Sequence, residues 1–121
     1  MNNAFFKRAD WINTTNIYEV NMRQYSGEGS FNAFAASLPR LKDMGVEVLW
    51  FMPIHPIGKI NRKGSLGSYY SISDFKAVNP EFGSAEDFKN LVQLAHQMGM
   101  KVIMDWVANH AAWDNEWTKD H

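Results

Sequence analysis

Apolar residues recur at three- and four-residue steps in two stretches of this chain, and each stretch ends in a glycine followed by a short apolar run. Phe31, Phe34, Ala35, Leu38 and Leu41 line one face of a first helix. Phe88, Leu91, Val92, Ala95 and Met98 line one face of a second. Ser30 is placed to cap the first, and Ser84 with Asp87 three residues on forms a capping-box pattern for the second. Pro39 lies inside the first pattern and lacks an amide proton, which predicts a kink or a break. Met44-Gly45-Val46-Glu47-Val48-Leu49-Trp50 is echoed by Met98-Gly99-Met100-Lys101-Val102-Ile103-Met104. Gly45 and Gly99 read as the left-handed residues that close the two helices. The runs at 46–51 and 102–105 are rich in β-branched and large apolar residues without alternation, which predicts strands buried on both faces of a parallel sheet. Residues 16–21 alternate apolar and polar and fit a first strand. The order strand, helix, strand, helix, strand makes two successive βαβ units, an α/β fold.

Two long connections interrupt this regularity. Residues 52–83 are rich in Pro, Gly, Ser, Asn and Tyr and carry no period, although loops beyond about 12–15 residues are usually functional or disordered. Tyr69, Tyr70, Phe75 and Phe82 argue for order. The second connection follows Val107. Both leave the carboxyl end of a strand, the edge at which parallel α/β folds bind ligands.

Composition narrows the function classes. The 121 residues are 14% aromatic and carry a net charge of −1, which excludes a self-repelling coil and offers no basic stripe for nucleic acid. No uncharged apolar stretch is long enough to span a bilayer. Ala4-Phe5-Phe6 before Lys7-Arg8 is too short for a signal-peptide core, so a cytoplasmic location is expected, or a secreted or periplasmic one if the sequence is a mature segment. Without cysteine there is no thiolate nucleophile, thiolate metal site or disulfide.

Asp105 ends the third strand, where a carboxylate must be paired or hydrogen-bonded, either as a turn cap or as part of a polar site. Asp105-Trp106-Val107-Ala108-Asn109-His110 brings a carboxylate, a carboxamide and an imidazole together on the ligand-binding edge, and this favours the polar site. Glu116 and Asp114, which could pass for a catalytic pair, read as solvated loop charges because both sit on one loop. Lys59, Arg62 and Lys63 read as solvated loop charge, with the wall of a ligand-binding cleft as the alternative. His55, between Pro53 and Pro56, either lines the pocket mouth or faces water. His96 reads as a surface residue and His121 is the last residue. Trp50 and Trp106 flank strand ends, and at least one is expected in the core.

The six residues from Asp105 to His110 resemble the D-x-V-x-N-H signature of the α-amylase superfamily, glycoside hydrolase family 13. Gly45-Val46-Glu47-Val48-Leu49-Trp50-Phe51-Met52-Pro53 is similar to that family's second-strand segment. Gly67-Ser68-Tyr69-Tyr70-Ser71-Ile72-Ser73-Asp74-Phe75 is similar to its tyrosine-bearing loop, and Ala77-Val78-Asn79-Pro80-Glu81-Phe82-Gly83 to the lead-in to its second helix. The match runs in order over about residues 15–118.

The resemblance implies the N-terminal part of a (β/α)8 TIM barrel, after a lead-in at 1–14. A complete barrel of this type typically needs about 250 residues. The implied activity is retaining cleavage or transfer of α-linked glucosyl units, by two carboxyl groups about 5–5.5 Å apart. Within the resemblance, Tyr70 stacks under the sugar at the cleavage point and His110 hydrogen-bonds its hydroxyls. Asp105 supports the site by pairing with an arginine from a later strand, and Asn109 offers an oxygen to calcium.

This sequence departs from the family's pattern in places. Tyr69 stands where relatives commonly have proline, so Tyr69 competes with Tyr70, whose spacing to Asp74 fits better. Ser26-Gly27-Glu28-Gly29-Ser30 replaces a calcium-binding loop rich in Asp and Asn. The family's nucleophile, acid/base and third essential acid have no counterpart here. Residues 15–121 are therefore expected to supply part of the cleft for an α-glucan or maltooligosaccharide substrate, to be inactive on their own, and to self-associate through open barrel edges. The alternatives are a non-catalytic carbohydrate-binding or interaction module made from the same barrel, and a small open-sheet domain. The last is disfavoured because no glycine-rich phosphate loop follows a strand.

Overall fold

The computed structural model describes residues 8–119. The signal-peptide reading, which concerns residues 1–8, and the reading of His121 lie outside these residues, apart from Arg8. Three strands form one parallel sheet in the order β1 (Ile17–Val20), β2 (Val48–Phe51), β3 (Lys101–Met104). Val20, Phe51 and Met104 stand in register, as do Glu19, Trp50 and Ile103. Helices α1 (Met22–Tyr25), α2 (Phe31–Ala35) and α3 (Leu38–Asp43) join β1 to β2, and α4 (Ala85–Gln97) precedes β3. No helix among the described residues is long and apolar enough to cross a membrane.

The expected first helix is two helices. Pro39 occupies the first turn of α3, the one place in a helix where its missing N–H leaves nothing unbonded. Both helical stretches close on their glycines, Gly45 at φ 93° and Gly99 at φ 76°. The next amide reaches back in each case, Val46 N to Leu41 O and Met100 N to Ala95 O, which satisfies carbonyls left over at the helix end. Ser84 and Asp87 form the expected capping box at α4, and such a cap contributes about 0.5–2 kcal/mol. Hydrogen bonds from the Ser84 hydroxyl and amide, then from the Asn32 amide, hold the exposed Asp87 carboxyl below the usual range.

One face of the sheet is buried under the helices. Val20, Leu49 and Phe51 meet Phe31, Phe34, Leu38, Leu41, Leu91 and Ala95 in a continuous core. Phe51 is its centre, edge-on to Phe34 at 5.4 Å and to Phe88 at 5.6 Å. Side chains alternate along a strand, so Glu19, Trp50 and Ile103 share the opposite face.

Only β2 is buried as its sequence suggests. On β3, Ile103 is 41% and Met104 50% exposed, because β3 is an outer strand with a neighbour on one side among the described residues. Trp106 is 77% exposed and not a core residue, and Trp50 is half-buried. The apolar character of 102–105 therefore reports a surface left open in this chain, not one already covered.

The connection at 52–83 is ordered by its own packing. Ile57 and Ile72 form an antiparallel bridge, and Ile54, Ile57, Ile72 and Phe82 are buried. Arg62 is not a solvated charge. Its Nε donates to Gly58 O at 2.7 Å, one terminal nitrogen to Ile57 O at 3.0 Å and the other to Ser65 O at 3.2 Å, so the guanidinium ties the loop to itself. Lys59 and Lys63 are exposed, as expected.

Candidate functional site

Asp105 leaves β3 at its carboxyl end, its amide still donating to Phe51 O at 2.9 Å. That bond extends the parallel pairing by one residue, and alternation turns the Asp105 side chain to the face opposite the core. The long loop brings Tyr70 to the same point. Its hydroxyl donates to Asp105 Oδ2 at 2.8 Å. The hydrogen bond to Asp105, then desolvation, then the charges of Asp105 and Glu19 push the Tyr70 hydroxyl up to about 12. It therefore stays protonated, a fixed donor, through neutral pH.

His110 joins from the loop after β3. Its Nε2 lies 3.0 Å from Tyr70 O, a carbonyl that can only accept, so Nε2 carries the proton. Nδ1 is then free to accept from Asn109 Nδ2, 3.1 Å away. Three residues remote in sequence, Tyr70, Asp105 and His110, thus form one hydrogen-bonded unit at the sheet's carboxyl edge. Tyr69 is engaged elsewhere, with the Arg23 guanidinium over its ring at 4.6 Å. A cavity of about 470 Å³ opens beside this unit, lined by Phe75, Trp106, Asn109, His110 and Trp117, with Phe75 and Trp117 stacked at 5.2 Å. Tyr70 and Asp105 do not line it.

The model of the α-amylase catalytic domain matches residues 5–121. The chain belongs to the α-amylase family. Among solved structures, the chain is 48% identical to an α-amylase from Lactobacillus plantarum, with a TM-score of 0.85 over 87% of this chain and 25% of that one. A noncanonic maltogenic α-amylase from Thermotoga neapolitana is 45% identical, with a TM-score of 0.84 over 88% of this chain and 26% of that one. An α-1,4-glucan:maltose-1-phosphate maltosyltransferase of Cereibacter sphaeroides is 39% identical over 86% of this chain and 20% of its own. The chain thus spans about a fifth to a quarter of the length of these relatives. Its three-stranded parallel sheet is the N-terminal part of the α-amylase (β/α)8 barrel.

Calcium takes six to eight oxygen ligands. Asn109 meets His110 through Nδ2, so its Oδ1 could supply one of these, but among the described residues no group of three or more His, Cys, Asp or Glu is placed to hold a metal ion. The residues present do not fit a calcium site by themselves.

Other candidates resolve into structural roles. Asp114 is not a solvated charge: its Oδ2 accepts from Lys59 N at 2.7 Å and Ile60 N at 3.3 Å, and the Lys59 amide holds the carboxyl below its usual range. It ties the loop after β3 to the loop after β2. Asn115 beside it is buried, its Nδ2 donating to Ile72 O at 3.0 Å. Glu116 and His96 are exposed. His55 is half-buried and does not line that cavity; its Nδ1 lies 2.9 Å from Ala77 O and its ring packs near Phe75. Sequence reasoning passed over Glu19, which shares the open sheet face and whose charge reaches the Tyr70 hydroxyl. The available signal was its place in an alternating strand, which puts a carboxylate opposite Tyr18 and Val20.

Proposed function

We propose that this chain supplies the glucosyl-binding part of a retaining, α-glucan-active glycoside hydrolase or transferase, with the bond-breaking carboxylates on later strands of the barrel. Tyr70 is the platform for the apolar face of the sugar, His110 a donor to its hydroxyls once the sugar takes the Nε2 proton over from the Tyr70 carbonyl, and Asp105 the carboxylate that holds Tyr70 in place. The observation that carries the reading is the junction of Tyr70 with both Asp105 and His110 at the ligand-binding edge. Relatives support the substrate class, since their names specify an α-1,4-glucan:maltose-1-phosphate maltosyltransferase and a maltase. In this reading no residue of the chain belongs to the opposed carboxyl pair that glycoside hydrolysis requires. The purified chain should bind maltooligosaccharides, lose that binding on Tyr70→Ala, and leave starch and an aryl α-glucoside uncleaved. Turnover above that of a His110→Ala control would overturn the division of labour.

The same reading makes the open sheet a contact surface for a second copy. Ile17 on β1 is 58% exposed, and β3 carries Ile103 and Met104 on an outer edge. Apolar strand edges with unpaired backbone groups associate. Sedimentation of the chain should show a dimer or larger species that grows with concentration. A monomer at every concentration would count against it.

A further inference from the structure

Arg23 belongs to α1, the short helix that follows β1, yet its side chain serves the long loop at 52–83. One terminal nitrogen donates to Gly67 O at 3.3 Å. The other donates to Leu66 O at 3.2 Å and to Glu81 Oε2 at 3.3 Å. The guanidinium also lies 4.6 Å from the centre of the Tyr69 ring. The Arg23 side chain is only 17% exposed, and the Glu81 carboxylate and the ring face offset the cost of holding a cation there. Tyr69 packs against the hydrophobic core as well, so its ring is held by both the core and the guanidinium.

Tyr70 is the next residue along. Shortly before it come three consecutive carbonyls, and two arginines take them. Arg62 takes Ser65 O and is itself part of the loop. Arg23 takes Leu66 O and Gly67 O from outside it. Among the described residues, every hydrogen bond that residues 66–69 make to a group outside the loop comes from Arg23. Such a fork is specific to arginine. Lysine carries the charge, but as a point donor it does not bridge two carbonyls and a carboxylate while stacking on a ring. A sugar platform needs this precision, because Tyr70 must meet Asp105 with its hydroxyl and His110 with its carbonyl at once.

We propose that Arg23 is a positioning residue for the sugar site: it sets residues 66–69, and through Tyr69 it places Tyr70 between Asp105 and His110. It rests on the reading of Tyr70 as the sugar platform.

Two readouts on the 121-residue chain test it, maltotriose affinity by calorimetry and phenolate titration with Tyr70→Phe as the blank. Arg23→Ala should weaken maltotriose binding by about tenfold. It should also bring the Tyr70 hydroxyl down from about 12 toward about 10. The direction is diagnostic. Arg23 is not among the groups that act on that hydroxyl, and loss of a nearby cation could only raise a phenol's pKa. A fall therefore reads the lost contact with Asp105. Arg23→Lys, which keeps the charge and loses the fork, should move both readouts the same way but less. Tyr69→Phe, which keeps a ring under the guanidinium, should move neither. Asn16→Ala removes hydrogen bonds to Gly45 and Glu47 at the opposite end of the strands, so it should lower stability and leave both readouts in place. Should Arg23→Ala fail to fold, Arg23→Lys decides. If the Arg23 variants keep the late titration or the wild-type affinity while Tyr70→Ala loses binding, the positioning role is wrong and the platform reading stands. If the wild-type chain binds no maltooligosaccharide, the platform reading fails and the proposal with it.

Discussion

Phe51→Ala is expected to cost about 3–5 kcal/mol, enough to unfold much of the chain if its total stability lies in the common range of about 5–15 kcal/mol. Phe51 is fully buried and edge-on to Phe34 of α2 and Phe88 of α4, so it joins the helices before β2 to the helix after it. Truncation opens a cavity that three short strands and their helices cannot collapse around. The effect should appear in urea denaturation as a lower midpoint with an unchanged slope. It should also reach the site, because Phe51 O accepts the Asp105 amide. A loss below about 1 kcal/mol, at the scale of a cap, would mean that the helices are not seated on the sheet as described.

Asp105→Ala is expected to bring the Tyr70 hydroxyl down from about 12 toward tyrosine's ordinary value of about 10. The hydrogen bond to Asp105 is the largest cause of the elevation, followed by desolvation and then the charge of Asp105, so the substitution removes two of the named causes. The sign for stability follows. Tyr70's pKa is raised in the folded chain, so its contribution is fully present below about 10, the unfolded value, and is lost as pH climbs toward about 12. The wild-type chain should lose stability across that window, and Asp105→Ala should lose less there. A phenolate absorbance titration, with Tyr70→Phe as the blank, reads the shift directly. A late-titrating tyrosine that survives in Asp105→Ala would remove Asp105 from its supporting role.

How far the site was legible follows from what local spacing encodes. The glycines after the helices, the capping box at Ser84 and the break at Pro39 depend on neighbours within a few residues, and all stand where the pattern puts them. Asp105 stands out in the sequence because its place at the end of a strand repeats that of Phe51. That Tyr70 reaches Asp105 across thirty-five positions is set by the loop, whose fold depends on Arg62 binding backbone carbonyls and Asp114 binding backbone amides. A charge that serves carbonyls and one that serves solvent look alike in a sequence. Hence Arg62 and Asp114 read as surface charge.

By itself, the sequence determined the strand–helix–strand–helix–strand frame, the two glycine-closed helices and the edge on which a ligand must sit through its order of apolar and polar residues, and the family resemblance through particular motif residues. Periodicity and capping are local, and they act before any distant residue is in contact. Only the tertiary structure decided that Asp105 meets Tyr70, that His110 meets Tyr70's carbonyl, and that β3 stands open to solvent. Those outcomes depend on side chains far apart in sequence, joined by hydrogen bonds that no local pattern encodes.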